Sequence, residues 1–409
     1  MDIREKLDLL GQAAQFDDCA SSLSSLSSVS SLSSLGGYGL FAPPESICSS
    51  GPDMFPYVSH LTTPDGRRRP ILKVLQTSIC QNDCNYCAFR TGRDFRRAHF
   101  TPDELAHGFD LMQRAGVVQG LFLSSGIAGT RQTMDEMIAT VELVRNKYDF
   151  RGHVHLKLLP GAEADQIARA IQLADRVSAN LEAPTPETLA RLAPRKRTAE
   201  LVGPLRTAAT LIRQTREASA VIPQVGGARL GVSTQFVVGP AGESDRDLLE
   251  TVQALHREVR FARVFYSAFN PIRDTPLEHV TPTDPRREFR LYQADFLLRR
   301  YGFAVEEMAF DTAGLLSPDV DPKAAWARAH PERFPIEVNQ APLAELLRVP
   351  GIGPTSARAI VQARRQANLR ELGDLRKLGA RADQAAPYVL LAGRRPPHQM
   401  PLLPGELPT

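Results

Sequence analysis

Short apolar runs alternate with longer amphipathic segments over residues 71–301. Six of these runs have the length and the content of β-branched and aromatic residues that strands favour: ILKVLQ, GLFLSS, HVHLKLL, RVSANL, RLGVSTQFVV and ARVFYSAF. The segments between them repeat apolar residues at helical spacing, and one begins with a capping box of Thr101 and Glu104 around Pro102. This alternation predicts parallel strands joined by crossover helices.

The predicted fold class is α/β, a partial parallel (β/α)6 barrel of TIM-like type, with a doubly wound sheet as the alternative. Chemistry in such barrels takes place at the carboxyl ends of the strands. Candidate site residues are therefore expected directly after the apolar runs.

The pattern changes on both sides of this region. Residues 21–35 form a Ser-rich tract with too few bulky apolar groups to fold, which predicts a partly disordered N-terminal segment. A Pro- and Asp-rich stretch later gives way to a purely helical pattern. The predicted organisation is a lead-in over 1–69, a core over 70–315, a linker over 316–333, an all-α domain over 334–395 and a tail over 396–409.

Composition narrows the class of protein. The chain has 409 residues, 43% of them hydrophobic, and a formal net charge of only +3, so a nucleic-acid partner would meet a local basic patch. No apolar stretch is long enough to span a membrane, and the N-terminus lacks the layout of a secretory signal. We therefore expect a cytoplasmic protein with no membrane partner.

Three of the five cysteines lie close together. Cys80, Cys84 and Cys87 form C-x3-C-x2-C directly after the first predicted strand, whereas Cys19 and Cys48 are expected to be free thiols. Three thiolates on one loop can bind three irons of a cubane and leave the fourth iron without a protein ligand. A zinc site, which normally has four protein ligands, and chance clustering are the alternatives.

The segment QTSICQNDCNYCAFR resembles the cluster-binding loop of the radical S-adenosylmethionine (SAM) superfamily, and the resemblance extends over about residues 70–310. It implies a partial barrel of radical SAM type, a [4Fe–4S] cluster on Cys80, Cys84 and Cys87, and SAM as cofactor. In that family SAM chelates the open iron and is cleaved reductively to a 5′-deoxyadenosyl radical, which abstracts a substrate hydrogen. An electron donor such as a flavodoxin or ferredoxin is implied as partner.

The same resemblance implies a set of SAM-binding positions at successive strand ends. Ser124, Ser125 and Gly126 stand where the family usually has a Gly-Gly-Glu-like turn, but the acid is missing, so backbone carbonyls would have to serve. Further along the chain, the resemblance implies polar residues that contact the ribose of SAM and apolar residues that pack against its adenine. The full set is Tyr86, Ser124, Ser125, Gly126, Asn180, Glu182, Gln235, Val237 and Phe265.

Ordinary structural roles compete with these assignments. Asn180 and Glu182 can lie at a surface strand end. Val237 and Phe265 can be ordinary core residues. The sequence assigns no catalytic acid or base, and the role of Lys157 stays open. Arginines after the cysteines can guide a phosphate backbone, compensate the cluster charge or form a solvated loop: Arg90, Arg93, Arg96 and Arg97.

Residues 339–365 resemble a helix-hairpin-helix motif, a module of DNA repair and recombination proteins, with its hairpin at Pro350-Gly351-Ile352-Gly353. Glycines let the backbone approach a phosphate, and the following helix offers free N–H groups. Such contacts are independent of base sequence and sensitive to salt. The implied DNA-binding residues are Pro350, Gly351, Ile352, Gly353, Thr355, Arg358, Arg364 and Arg365.

A second, decayed copy of the hairpin is predicted over residues 371–392, with Leu378 and Gly379 at its turn. The whole chain resembles a bacterial family described as putative DNA modification or repair radical SAM proteins. The first hypothesis is therefore a radical SAM enzyme acting on DNA. Alternatives are radical chemistry on RNA, peptide or a small molecule with the hairpin as an assembly module, and a non-catalytic iron–sulfur protein that binds nucleic acid.

Overall fold

The computed structural model describes residues 1–15, 57–62, 68–221 and 231–397. The Ser-rich tract, Cys19, Cys48 and most of the predicted tail lie outside the described residues. The chain divides into two compact units, Met1–Glu243 with Ala254–Glu288, and Ser244–Gln253 with Phe289–Thr409. The predicted boundaries at 69, 315 and 333 do not coincide with this division and stay predictions.

The first unit contains a curled sheet that forms a half-barrel. Its strands follow each other in chain order, β1 pairs antiparallel with β2, and every later pair is parallel. All six predicted strands are present, as β2 to β7. The strands are β1 Val58–Thr62, β2 Arg68–Leu75, β3 Gly120–Ser124, β4 His153–Lys157, β5 Arg176–Ser178, β6 Val232–Val238 and β7 Arg263–Ala268.

Helices connect the parallel strands as predicted. The capping box of Thr101 and Glu104 is formed at the start of α2, where Pro102 occupies the first helical position. The helices of this unit are α1 Ile3–Gln15, α2 Pro102–Arg114, α3 Thr130–Glu142, α4 Ala164–Leu173, α5 Pro186–Leu192 and α6 Thr198–Val221. Two further helices, α7 Asp245–Val259 and α8 Pro285–Tyr301, each contribute to both units.

The two faces of the sheet differ in chemistry. Because sequential parallel strands have right-handed crossovers, their helices lie on one face. Side chains of that face, such as Leu72, Leu121 and Val154, are fully buried. Their neighbours along each strand point to the other, concave face, because side chains alternate in strands.

The second unit is mostly helical. Its elements are α9 Pro322–Ala329, β8 Ile336–Glu337, α10 Leu343–Leu346, α11 Pro354–Ala363, α12 Leu372–Lys377, α13 Ala382–Ala385 and β9 Val389–Leu390. The predicted linker over 316–333 includes α9, on which Trp326 is buried between the rings of Phe303 and His330. The stretch therefore contains a packed helix, and its role as a linker stays a prediction.

Candidate functional site

The cysteine loop follows β2 at the carboxyl edge of the half-barrel, and arginines hold its shape. The Arg97 guanidinium donates to the carbonyls of Ser78 and Arg90, both at 2.9 Å, and lies 4.3 Å from the centroid of the Phe95 ring. Arg93 donates to the carbonyl of Ala88. Carbonyls in an irregular loop need such donors because no ladder or helix satisfies them. These two arginines therefore stabilise the loop itself.

The three thiols of this loop are shielded from water to different degrees. Cys84 is 5% exposed, and Cys80 and Cys87 are partly buried. Burial raises the pKa of Cys84 to about 11, and the pKa of Cys87 is raised by burial and by Cys84. Ligation by a metal reverses this shift, since coordinated thiols are deprotonated.

The number of these thiols and their place on one loop suit a cluster. Among the described residues, no three His, Cys, Asp or Glu side chains converge closely enough to hold one metal ion. The thiols are nonetheless close enough to influence each other's pKa. A cubane needs its three thiolates on three different irons, so its ligands converge less tightly than those of one ion. The residues present therefore fit a [4Fe–4S] cluster.

A buried charged network lies beside the thiols. Glu182, only 2% exposed, accepts hydrogen bonds from the Tyr86 hydroxyl and the Lys196 ammonium, both at 2.7 Å. The Lys196 side chain is 10% exposed, and its pKa is raised by Cys84 and Glu182 against the opposing effect of burial. Glu182 has a positive φ of 66°, which strains a residue with a side chain. The Glu182 carboxylate, four residues after β5, thus meets the cysteine loop at Tyr86.

Lys196 reaches this position through a loop that the sequence analysis did not connect with the cysteines. At the end of α5, the Leu192 carbonyl accepts the N–H of Asn85, and Arg195 beyond it donates to the carbonyl of Gln81 at 2.7 Å. A buried Glu182 signals that a cation must lie nearby. The sequence does not say which one, because the pairing depends on contacts between distant loops.

The turn after β3 also contacts the cysteine loop. Gly126 donates to the carbonyl of Thr77 at 2.7 Å, and a Cβ at Gly126 would lie 2.4 Å from the Ile79 carbonyl oxygen. Glycine is therefore required here by close backbone approach. The buried Ser125 hydroxyl has no hydrogen-bond partner among the described residues, and Ser124 is buried beside it. Ser125 is thus a polar group that a bound amino group could satisfy.

The remaining predicted SAM-binding residues occupy the later strands. Gln235 and Phe265 are paired in register on β6 and β7, and both are half-buried. Val237 is buried, and Asn180 is half-buried after β5. Within the predicted set, Tyr86 and Glu182 are joined by a side-chain hydrogen bond. The SAM-binding role of all these residues stays a prediction.

The helical second unit contains two consecutive hairpins, as predicted. In the first, α10 and α11 flank Gly351, and in the second, α12 and α13 flank Gly379. The Arg381 N–H donates to the Gly351 carbonyl at 2.8 Å and joins the two hairpins. Strands β8 and β9 pair in parallel and close this domain.

The predicted DNA-binding residues divide into buried and exposed groups. Pro350 and Ile352 are buried, so their side chains pack in the core rather than face a ligand. Arg364 donates to the carbonyls of Val338 and Ala341, at 2.8 and 2.6 Å, which gives it a structural role. The Gly353 N–H already donates to the Ser356 hydroxyl.

The exposed members lie on one face of α11 and its end. Thr355, Arg358 and Arg365 are exposed, and spacings of three and seven residues place them on the same side of a helix. Arg358 lies in the second turn of α11, near a helix N-terminus whose first N–H groups have no helical acceptor, and Arg365 lies just beyond the last residue of the helix. This stripe is the part of the hairpin suited to contact phosphates.

Replacing Gly351 by alanine is expected to destabilise the second unit more than the same change at Gly379. Both glycines have positive φ, but a Cβ at Gly351 would lie 2.5 Å from the Arg381 carbonyl oxygen, whereas Gly379 faces open space. Strain alone costs about 1 kcal/mol, and the backbone clash at Gly351 adds to it. Urea unfolding, followed by the fluorescence of the single tryptophan, Trp326, measures the free energy of unfolding of both variants. Equal losses would contradict the packing argument.

A buried lysine donates a hydrogen bond to the turn of the first hairpin. Lys323 on α9 donates to the Ile352 carbonyl at 2.6 Å and lies 4.8 Å from the centroid of the Tyr301 ring. Burial lowers the pKa of Lys323 to about 7, although Asp321 opposes this shift. Lys323 thus holds the hairpin carbonyl whether it is protonated or neutral, since both forms can donate.

The free energy of unfolding of the second unit is expected to rise with pH between about 7 and the ordinary lysine pKa of 10.5. In that window the folded chain binds fewer protons at Lys323 than the unfolded chain, so raising the pH favours folding. The slope is at most about 1.4 kcal/mol per pH unit. Urea unfolding monitored at Trp326 over this range measures it, and Lys323→Met should flatten the dependence. An identical slope in the variant would contradict the assignment to Lys323.

Sequence comparisons identify both parts of the chain. The profile of the radical SAM superfamily matches residues 74–255, and that of a helix-hairpin-helix motif matches residues 333–389. The chain therefore contains a radical SAM enzyme domain followed by a C-terminal helix-hairpin-helix motif. Members of this superfamily use a [4Fe–4S] cluster and SAM. No curated protein sequence matches the chain.

Solved structures similar to the chain include a hydrogenase maturase, methylornithine synthase and a radical SAM methyltransferase. The [FeFe]-hydrogenase maturase HydG from Carboxydothermus hydrogenoformans is 13% identical over 55% of this chain and 50% of its own, with a TM-score of 0.42. Methylornithine synthase (PylB) is 14% identical over 62% of this chain and 66% of its own, with a TM-score of 0.43. A radical SAM methyltransferase from Sphaerobacter thermophilus is 16% identical over 54% of this chain and 64% of its own, with a TM-score of 0.38. The chain thus spans about half of HydG and about two thirds of the other two.

No helix among the described residues is both long and apolar enough to cross a membrane.

Proposed function

We infer that the chain cleaves SAM reductively and directs the resulting radical to DNA bound through the helix-hairpin-helix motif. The observation that carries the first part is the three-thiol loop beside the hydrogen-bonded Tyr86, Glu182 and Lys196, of which Glu182 is buried. The second part is supported by the exposed stripe of Thr355, Arg358 and Arg365 along α11 and just beyond its end. A reduced flavodoxin or ferredoxin would supply the electron.

Each group of residues has a separate task in this proposal. Cys80, Cys84 and Cys87 would ligate three irons, and the Ser125 hydroxyl with nearby backbone carbonyls would bind the amino group of SAM. When bound, the cluster and SAM supply the 5′-deoxyadenosyl radical that abstracts hydrogen. Lys196 offsets the negative charge of the thiolates and of Glu182, and burial excludes water from the reacting groups.

A second candidate keeps the radical chemistry but assigns it to a small molecule, with the hairpins as an assembly module. The buried positions of Pro350 and Ile352 and the structural role of Arg364 favour it, because they show how much of the motif serves packing. The two candidates differ in whether nucleic acid affects SAM cleavage.

The deciding experiment uses the full chain with its cluster reconstituted anaerobically and reduced with dithionite. Formation of 5′-deoxyadenosine is followed with duplex DNA, single-stranded DNA, RNA or no nucleic acid. Salt-sensitive stimulation by DNA is expected, because phosphate contacts release counterions. SAM cleavage without any effect of DNA would contradict the substrate assignment, and intact SAM would contradict the enzymatic one.

The role of the exposed stripe is tested in parallel by binding. The double variant Arg358→Gln, Arg365→Gln should weaken DNA binding and lower the slope of log affinity against log salt by about 2, since each lost phosphate contact contributes about 0.9. The matched control is Arg213→Gln, which changes an exposed arginine on α6. An unchanged slope in the double variant would show that DNA does not bind this stripe.

A further inference from the structure

The concave face of the half-barrel is rich in basic side chains. Basic residues of this face include Lys73 on β2, Lys157 on β4, Arg176 on β5 and Arg263 on β7. As the structure bounds them, the six parallel strands contain no Asp or Glu. The strands that form this face therefore contribute basic side chains and no carboxylate.

Strand register gathers these cations into two adjacent rows. Lys73 is level with Phe122, Phe122 with His155, and His155 with Arg176. The neighbouring row contains Lys157, Ser178, Ser233 and Arg263, each paired with the next. Residues two apart on a strand share a face, so both rows point into the half-barrel.

Contacts between side chains confirm this orientation. The rings of Phe122 and His155 pack edge to face with centroids 4.5 Å apart, and His155 shares a hydrogen bond of 2.8 Å with the Ser178 hydroxyl. The Lys73 ammonium lies 5.5 Å from the Phe122 ring centroid. The first row is therefore one contiguous surface, joined to the second through Ser178.

The cations on this surface influence each other unfavourably. Burial and, after it, the nearby Arg263 together lower the pKa of Arg176 to about 10. Burial also lowers the pKa of His155, followed in effect by Arg176. Like charges held together in a partly dehydrated place raise the free energy unless an anion joins them.

Two polar atoms on this surface are ready for such an anion. The Nε of Arg176 and the hydroxyl of Ser233 are buried and have no hydrogen-bond partner among the described residues. Buried polar groups are normally satisfied, so unsatisfied ones indicate a ligand or water. Guanidinium and hydroxyl donors together suit a tetrahedral oxyanion.

The row above these cations belongs to the predicted SAM site. Gln235 and Phe265, two residues further along β6 and β7 than Ser233 and Arg263, are half-buried on the same face. An anionic group held by the two rows would therefore lie deeper in the half-barrel than these residues, about one strand repeat of 7 Å away. The rest of the same molecule would extend toward the thiol loop.

We propose that the concave face is a phosphate-binding site for the substrate, in which Arg176, Arg263, Lys157 and Ser233 hold the phosphate of a nucleotide. The inference deepens the proposed function, on which the choice of a nucleotide rests. The nucleotide is either free or the 5′-phosphorylated end of a DNA strand, and both present the same phosphate monoester.

Calorimetric titration of the full chain with its reconstituted cluster tests the site without SAM cleavage. The probes are thymidine 5′-monophosphate, thymidine, and a short DNA duplex with a 5′-phosphate or a 5′-hydroxyl end. The monophosphate should bind about tenfold or more tightly than thymidine, because charge-assisted hydrogen bonds contribute the difference. Arg176→Gln and, independently, Arg263→Gln should remove most of this preference, and Arg213→Gln should leave it unchanged.

Each outcome has a definite meaning. Equal affinities for monophosphate and nucleoside, including no measurable binding of either, would overturn the proposal, as would a preference that survives both variants with native circular dichroism. Preference for the 5′-phosphorylated duplex supports a DNA end as substrate, whereas binding of the free monophosphate alone supports a free nucleotide. In the latter case the phosphate site stands and the DNA assignment fails. SAM cleavage is measured separately, so failure of the enzymatic proposal remains distinguishable.

Discussion

Cys84→Ala is expected to abolish cluster assembly and with it all measurable 5′-deoxyadenosine formation. Cys84 is the most buried of the three thiols and lies between the other two in the loop. Two thiolates cannot hold a cubane by themselves at an open site, and the electron needed for SAM cleavage passes through that cluster. Iron and sulfide content, the visible absorption of the reconstituted protein and product formation measure the effect.

The thiol control for this experiment is Cys48→Ala, which lies outside the motif. It should bind iron and cleave SAM like the unmodified chain. Circular dichroism of Cys84→Ala should stay close to native, since Arg93 and Arg97 hold the loop through carbonyls and not through the thiol. A normal cluster in Cys84→Ala, or loss of the cluster in Cys48→Ala, would refute the assigned ligands.

Lys196→Met is expected to lower the free energy of unfolding of the first unit by about 3–5 kcal/mol, because it leaves the buried Glu182 carboxylate without its counter-ion. The same change removes the positive charge that opposes the raised pKa values of Cys84 and Cys87. Reduction of a bound cluster adds an electron, so the lost ammonium should also make the reduction potential more negative. Urea unfolding followed by circular dichroism and a spectroscopic redox titration measure the two effects.

Two further variants separate charge from packing. Glu182→Gln in the Lys196→Met background should restore much of the stability, because the neutral amide does not need the ammonium. Lys196→Arg keeps the charge and should leave the reduction potential nearer to that of the unmodified chain. If Lys196→Met changes neither stability nor potential, the network of Tyr86, Glu182 and Lys196 does not have the role assigned to it.

Much of the fold could be predicted because it depends on residues that are close together in the chain. The six parallel strands are short, rich in β-branched residues and separated by amphipathic helices, so local pattern and tertiary structure agree. The capping box of Thr101 and Glu104 depends only on residues three positions apart, and it is formed as expected. The stretch 316–333 shows the limit of composition, since its burial depends on how Trp326 packs against distant rings.

The hairpin motif illustrates the same division within one short segment. Its glycines, helices and second copy are visible in the order of residues, because turns and helical spacing are local properties. Which of its arginines face outward is a tertiary property. Arg358 and Arg365 are exposed, but Arg364, next to one of them, donates to carbonyls of the same domain.

By itself, the sequence determined the class of fold, the three-cysteine loop and the two helical hairpins, since each depends on the spacing of nearby residues. Only the tertiary structure brought Lys196 to Glu182 and aligned Lys157, Ser233 and Arg263 in one row. Those pairings depend on strand register and on loops that are far apart in the chain. A register shift of one residue would turn every side chain of a strand to the other face, and only packing of the whole sheet prevents it.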